Sequence, residues 1–427
     1  MTTMIIFGLL AVLLATGMPI SIALGLTVLI YLFGLTTVPI EAVALKLFTG
    51  IERFEIMAIP FFILAGNFLT HGGVARRMIR FASAMVGHLH GGLGLAGVLA
   101  CTLFAAISGS SPATVVAIGA ILIPAMVRAG FPKEFGTGVI ATSGALGILV
   151  PPSIVMVMYA VSTSTSVGAL FMAGVVPGVV LALMLGAVTW ERARRFGYPR
   201  QPKASWAVRW AAFRESVWGL SLIFVVMGGI YSGIFTATEA AAMSAVYAFF
   251  VAVFVHRDLK LSDTPRVLLE SANLSAMLLY IITNAILFSF LLTYENIPQT
   301  MSAWMLELGF GPIVFLLAVN ALLLLAGDFM EPSSIILIMA PLLFPVATSL
   351  GIHPIHFGII LTVNMEIGMV TPPVGLNLYI ASGITRMGLT EVTVACLPWM
   401  MAMLAFLILV TYWPGLSLWL PGVLGML

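Results

Sequence analysis

Apolar residues fill almost everything between a few charged loops of this chain, in stretches long enough to span a bilayer or in shorter ones paired around a turn. Hydrocarbon offers the backbone no partners, so such stretches must close their own hydrogen bonds as helices. The pattern predicts an all-α polytopic membrane protein. Composition agrees: of 427 residues, 61% are hydrophobic and 8% charged, far from a soluble globular domain. The 18 Lys+Arg and 16 Asp+Glu nearly cancel and no nucleic-acid-binding pattern occurs, so lipid is an expected partner and nucleic acid is not. Residues 1–19 carry neither a basic leader nor a small-residue cleavage site and read as the first crossing. Cys101 and Cys396 lie in distant apolar runs and are not expected to pair.

Set against itself at an offset of about 220, the chain pairs Pro112 with Pro332, Pro124 with Pro345, Pro151 and Pro152 with Pro372 and Pro373, and Pro177 with Pro398. Gly130 with Gly351 and Gly147 with Gly368 keep the same register. Such recurrence implies a repeat, placed at 1–190 and 216–427 with a basic linker at 191–215. Within the first copy, 1–55 is assigned to scaffold and arm and 56–190 to a hairpin and a broken helix; the second divides likewise into 216–274 and 275–427.

The linker holds Arg192, Arg194, Arg195, Arg200, Lys203, Arg209 and Arg214, so it belongs in the cytoplasm. Crossings near 56–72, 136–161, 165–190, 216–234 and 237–255 then bring the other basic clusters to the same side. Splitting the N-terminal segment at 17–19 gives each copy about five crossings. An odd number inserts the second copy upside down, making two inverted-topology repeats with both chain termini periplasmic. Polar pieces at 41–55 and about 259–274 read as interfacial arms. Segments 83–127 and 300–345 must begin and end on one side, which makes them re-entrant hairpins with tips at ISGSSPAT (107–114) and GDFMEPSS (327–334).

Proline has no N–H and obstructs the carbonyl one turn before it, so VPPS at 150–153 and TPPVG at 371–375 break their helices in mid-membrane. Broken membrane helices free carbonyls for a small cation and aim positive helix ends at an anion. Ser108, Ser110, Ser111 and Thr114 add hydroxyls and Gly109 a close backbone approach, with no carboxylate among them. Neutral oxygens suit Na⁺ better than a divalent ion. A mirrored site would use Gly327, Asn364, Gly368 and Thr371. A single break is usually only a kink; two breaks and two tips at corresponding positions point to a transport site. Asp328, Glu331 and Glu366 are intramembrane carboxylates and so functional candidates, with tip capping as the plainer reading. His353 and His356 lack ligand partners nearby, and no catalytic motif occurs, so no enzyme is expected.

The runs ISGSSPATVVAIGAILIPAM and GVIATSGALGILVPPSIVMVMYAVSTSTSVGALFMAGVVPG, with GGIYSGIFTATEAAAMSAVYAF and MVTPPVGLNLYIASGI, closely resemble the large membrane subunit of tripartite ATP-independent periplasmic (TRAP) transporters. The likeness covers nearly the whole chain. It implies a bacterial inner-membrane, Na⁺-coupled importer of organic acids such as C4-dicarboxylates or sialic acid, working by an elevator mechanism. It also implies a periplasmic substrate-binding protein and a small four-helix membrane subunit, expected as a separate chain because no such extension precedes Met1. Two or more Na⁺ are implied, one among Ser108, Ser111, Gly147, Val150 and Pro151, another among Gly327, Gly368 and Thr371. Substrate is expected between the tips, at Ser110, Ser111, Pro112, Glu331, Pro332, Asn364 and Pro373. Other readings are a stand-alone sodium/divalent-anion symporter, a passive channel and a non-transporting scaffold subunit.

Overall fold

The computed structural model describes residues 2–36, 38–307 and 311–427, and these are helical with no strand among them. Met1 and Thr37 lie outside the described residues, as do positions 308–310 of the segment expected to form the second hairpin. Ten helices come first: α1 (Thr2–Ala15), α2 (Ile20–Leu35), α3 (Ile40–Ile51), α4 (Ala58–His71), α5 (Val74–Val86), α6 (Gly92–Ser108), α7 (Ser111–Arg128), α8 (Lys133–Gly144), α9 (Ile154–Thr163) and α10 (Val167–Arg195). Ten more complete the chain: α11 (Trp206–Tyr231), α12 (Ala237–Phe250), α13 (Thr264–Tyr294), α14 (Ile297–Glu307), α15 (Pro312–Gly327), α16 (Pro332–Ser349), α17 (Pro354–Gly368), α18 (Leu376–Thr385), α19 (Leu389–Tyr412) and α20 (Gly415–Val423). Eight of the described helical spans are long and apolar enough to cross a membrane.

Proline marks many of the starts, where its missing N–H costs nothing: Pro312, Pro332 and Pro354 each open their helix. The order of elements recurs. A packed helix pair, α6–α7 or α15–α16, is followed by a broken helix, α8–α9 or α17–α18, and then by a long helix, α10 or α19. The two sets interlock, because α9 packs on α16 and α18 on α7. Around them, α4 packs on α12, α13 on α2 and α3, and α5 on α11. Two ion pairs join the polar ends of these outer helices, Arg77 to Asp258 (2.5 Å) and Arg80 to Glu215 (2.7 Å). Deeper in, Trp399 is fully buried and donates its indole N–H to Thr189 Oγ1 at 2.8 Å.

Three boundaries differ from the sequence expectation. The hairpins are narrower than 83–127 and 300–345, because 83–86 and 300–307 belong to the separate helices α5 and α14. Only residues 196–205 of the supposed linker 191–215 are irregular, since α10 and α11 carry their helical hydrogen bonds on into the charged sequence. The arm at 259–274 is not separate: from Thr264 the chain runs unbroken to Tyr294, whereas α3 ends before the 3-10 turn Phe54–Met57. Residues 266–294 contain neither Gly nor Pro, so nothing stops the helix. Ala276→Pro in α13 should therefore cost about 3 kcal/mol and Ala276→Gly only about 1. Thermal unfolding of the purified protein in detergent measures the difference.

Candidate functional site

In an α-helix each carbonyl waits for the N–H four residues on, so Pro151 and Pro152 deprive Gly147 and Ile148 of theirs, and Pro372 and Pro373 deprive Gly368 and Met369. The structure re-satisfies half of these. Ile148 O accepts the Ser153 hydroxyl at 2.6 Å, and Met369 O accepts the Asn377 amide N–H at 3.0 Å. The glycine carbonyls are left poorer. The Leu149 and Val150 amides both turn to Leu146 O, and Gly368 O receives only the Thr371 amide at 3.3 Å. Each broken helix thus offers a glycine carbonyl at matching places.

The hairpin tips meet these breaks backbone to backbone. A Cβ on Gly147 would lie 2.6 Å from the Ser110 carbonyl, and one on Gly368 would lie 2.9 Å from Gly327 Cα, so only glycine permits either approach. Gly109 turns the first tip with φ +60, a left-handed conformation that favours glycine. Thr114 Oγ1 donates to Ser110 O at 2.8 Å, leaving Ser108 as donor to Thr114 across 3.0 Å. At the second tip the Val374 amide donates to Asp328 O at 3.0 Å, and the Thr371 hydroxyl donates to Ile367 O at 2.8 Å. Among the described residues that meet at Gly147, Ser110 and Ser111, there is no carboxylate, whereas Asp328 follows Gly327 directly at the second contact.

Between the tips lies a cavity of about 410 Å³. The first tip contributes Gly109, Ser110, Ser111 and Pro112, and the second Glu331, Pro332 and Ser333. Ile154 and Val155 open α9 onto it and Leu376 opens α18, so four helix N-termini converge there. Leu274, Met277 and Leu278 of the outer helix α13 close the wall. Not every expected residue meets this space. Asn364 is fully buried elsewhere, its amide donating to Asn320 Oδ1 (2.8 Å) while Asn320 donates to Thr411 (2.9 Å). Pro373 is exposed, its carbonyl accepting the Tyr379 hydroxyl at 3.2 Å. Val150 and Pro151 face a separate apolar groove beside Phe224 and Met227. Glu366 is fully buried on α17 and neither carboxyl oxygen has a protein partner among the described residues. His356 bonds Ser417 Oγ at 2.7 Å.

Sequence reasoning missed Asn377. This fully buried side chain donates to Ser111 Oγ (2.8 Å) and to Ala141 O (3.1 Å), tying the half-helix after the second break to the tip of the first hairpin. Its signal was present as the lone amide in VGLNLYIA. Asn377→Leu should strand Ser111 and the Ala141 carbonyl at a cost of about 1–3 kcal/mol, and adding Ser111→Ala should recover part of it. A thermal double-mutant cycle reads both values.

The family described as the tripartite ATP-independent periplasmic transporter, DctM component, matches residues 7–416. The C4-dicarboxylate TRAP transporter large permease protein DctM of Rhodobacter capsulatus is 70% identical, with 100% of each chain covered. The protein of the same name from Pseudomonas aeruginosa is 57% identical over 91% of each chain. Among solved structures, the YdaH transporter of Alcanivorax borkumensis superposes with a TM-score of 0.60 at 18% identity, covering 89% of this chain and 90% of that one; the likeness is one of fold. Eight span-length helices, two interlocked hairpins and a match over nearly the whole length together make this chain a member of the TRAP transporter large permease family, a membrane transport component and not an enzyme.

Proposed function

We propose that this chain imports a C4-dicarboxylate across the bacterial inner membrane, driven by Na⁺ and supplied by a periplasmic binding protein. The single observation that carries the reading is the cavity between the tips. Four helix N-termini open onto it and serine hydroxyls line it, which favours an anion of small organic-acid size without a cationic side chain. The names of the 70% and 57% identical relatives support the C4-dicarboxylate class.

In this reading the coupling ions are Na⁺, transported with the acid. One would be held by oxygens of the Ser108–Ser111 tip with the Gly147 carbonyl, near Val150 and Pro151. The other would be held where Gly327 meets Gly368, with Thr371. Both are places where a proline has left a carbonyl short of a donor and a glycine brings the tip close. An ion that links tip to break would fix the walls of the acid cavity, and this links Na⁺ binding to substrate binding. The hairpins, broken helices and long helices (α6–α10 and α15–α19) would move as one body past a scaffold built from the outer helices α1–α5 and α11–α13, carrying the cavity across the membrane as an elevator. The halves would insert with opposite orientation, both termini periplasmic. A separate four-helix subunit would widen the scaffold.

Uptake of radiolabelled C4-dicarboxylate into proteoliposomes holding this chain and its small subunit should require both an inward Na⁺ gradient and the binding protein. Ser110→Ala and Thr371→Ala should each lower it about tenfold. Gradient-driven uptake without the binding protein would make the chain a stand-alone symporter. Flux indifferent to Na⁺ would make it a passive channel.

A further inference from the structure

A cavity for organic acids would be expected to hold a cation, yet among the described residues lining it the one charged side chain is an acid, Glu331. It stands immediately before α16, and its carboxylate accepts the hydroxyl of Ser333 within that helix's first turn. There, when ionised, it sets a negative charge against the positive end of α16. The first tip has no such group: Ser110 precedes α7, and the lining beside it is Ser111 and Pro112. The two tips face the same cavity with opposite electrostatic character.

We propose that the bound acid is oriented by this difference. Its ionised carboxylate lies at the first tip, and its far end presents a hydrogen-bond donor, either a hydroxyl or a protonated second carboxyl, to Glu331. Glu331 is then a specificity-determining residue that favours acids whose far end carries a hydroxyl or a protonated carboxyl over diacids whose far end is a bare carboxylate. The inference rests on the reading of this cavity as the organic-acid site. Two carboxylates brought together in a poorly solvated space repel strongly, whereas a donor placed against Glu331 adds a hydrogen bond to the one its carboxylate accepts from Ser333. The rest of the wall cannot compensate. Leu274, Met277, Ile154 and Met369 offer neither charge nor side-chain donor.

Ionisable groups on the elements packed around α16 do not line the cavity: Tyr159 on α9, Arg266, Glu270, Tyr280 and Tyr294 on α13, Glu307 on α14, His356 and Glu366 on α17. Asp328, at the same tip, is not a lining residue either. Changes of pH therefore act at this site on Glu331 and the acid itself.

The test compares two C4-diacids that differ by one hydroxyl, in the reconstituted carrier with its small subunit and one binding protein, at about pH 6 and about pH 8. With the native carrier, the hydroxylated acid should enter about tenfold faster at the higher pH, and the plain diacid should gain as pH falls. In Glu331→Gln the ratio should approach one and the pH profile flatten. Ser110→Ala should slow both acids alike and leave the ratio unchanged. If Glu331→Gln preserves ratio and profile while Ser110→Ala slows both, the orientation is overturned and the acid site stands. If Ser110→Ala slows neither, the acid site itself fails. Thermal stabilisation of the native protein in detergent by the two acids needs no variant, and equal stabilisation at about pH 8 would also overturn the proposal.

Discussion

The rest of the structure depends on how backbone carbonyls find partners where there is no water. A membrane helix normally solves this within itself, and two Pro–Pro pairs prevent it. At each break the labour is divided. One orphaned carbonyl is handed to a local donor, Ser153 in the first half and the Asn377 amide in the second, while the glycine carbonyl before it stays short of one. The hairpin tips are pressed to these places, and Gly147 and Gly368 have no side chain to hold them off. A defect in helix bonding thereby becomes a pocket.

Interlocking gives the pocket its walls. Because α9 packs on α16 and α18 on α7, neither half forms a cavity alone; each tip is faced by the half-helix of the other. The cavity's outer wall comes from α13, a helix with no break in 31 residues. Its counterpart in the first half is split between α3 and α4, so the surroundings of the two breaks are less alike than the breaks themselves.

Much of this was legible because the informative residues are ones whose backbone behaviour is fixed by covalent structure. Proline in register at 112 and 332, and at 151–152 and 372–373, located hairpins and breaks with no knowledge of packing. Serines and glycines beside them placed Ser110, Ser111 and Pro112 at a common cavity with Glu331 and Pro332. Legibility ended where the partner is remote in sequence. Asn364 looked equivalent to the tip residues, yet its direction is set by Asn320 on a neighbouring helix. Asn377 looked like an ordinary polar residue in a half-helix, and nothing local announces that it reaches Ser111. Absence of a breaker is also harder to read than its presence, which is why α13 was divided too early.

The bond between Asn377 and Ser111 spans 266 residues. Membrane proteins enter the bilayer in the order in which they are made, so the first hairpin arrives long before the residue that completes its tip. Until then the Ser111 hydroxyl and the Ala141 carbonyl have no Asn377 to meet, and the nascent first half carries an unfinished polar interior. The two halves are therefore not successive modules, each sealed before the next begins. They are a single closure, and its last polar contacts at the first tip wait for residue 377 to be made.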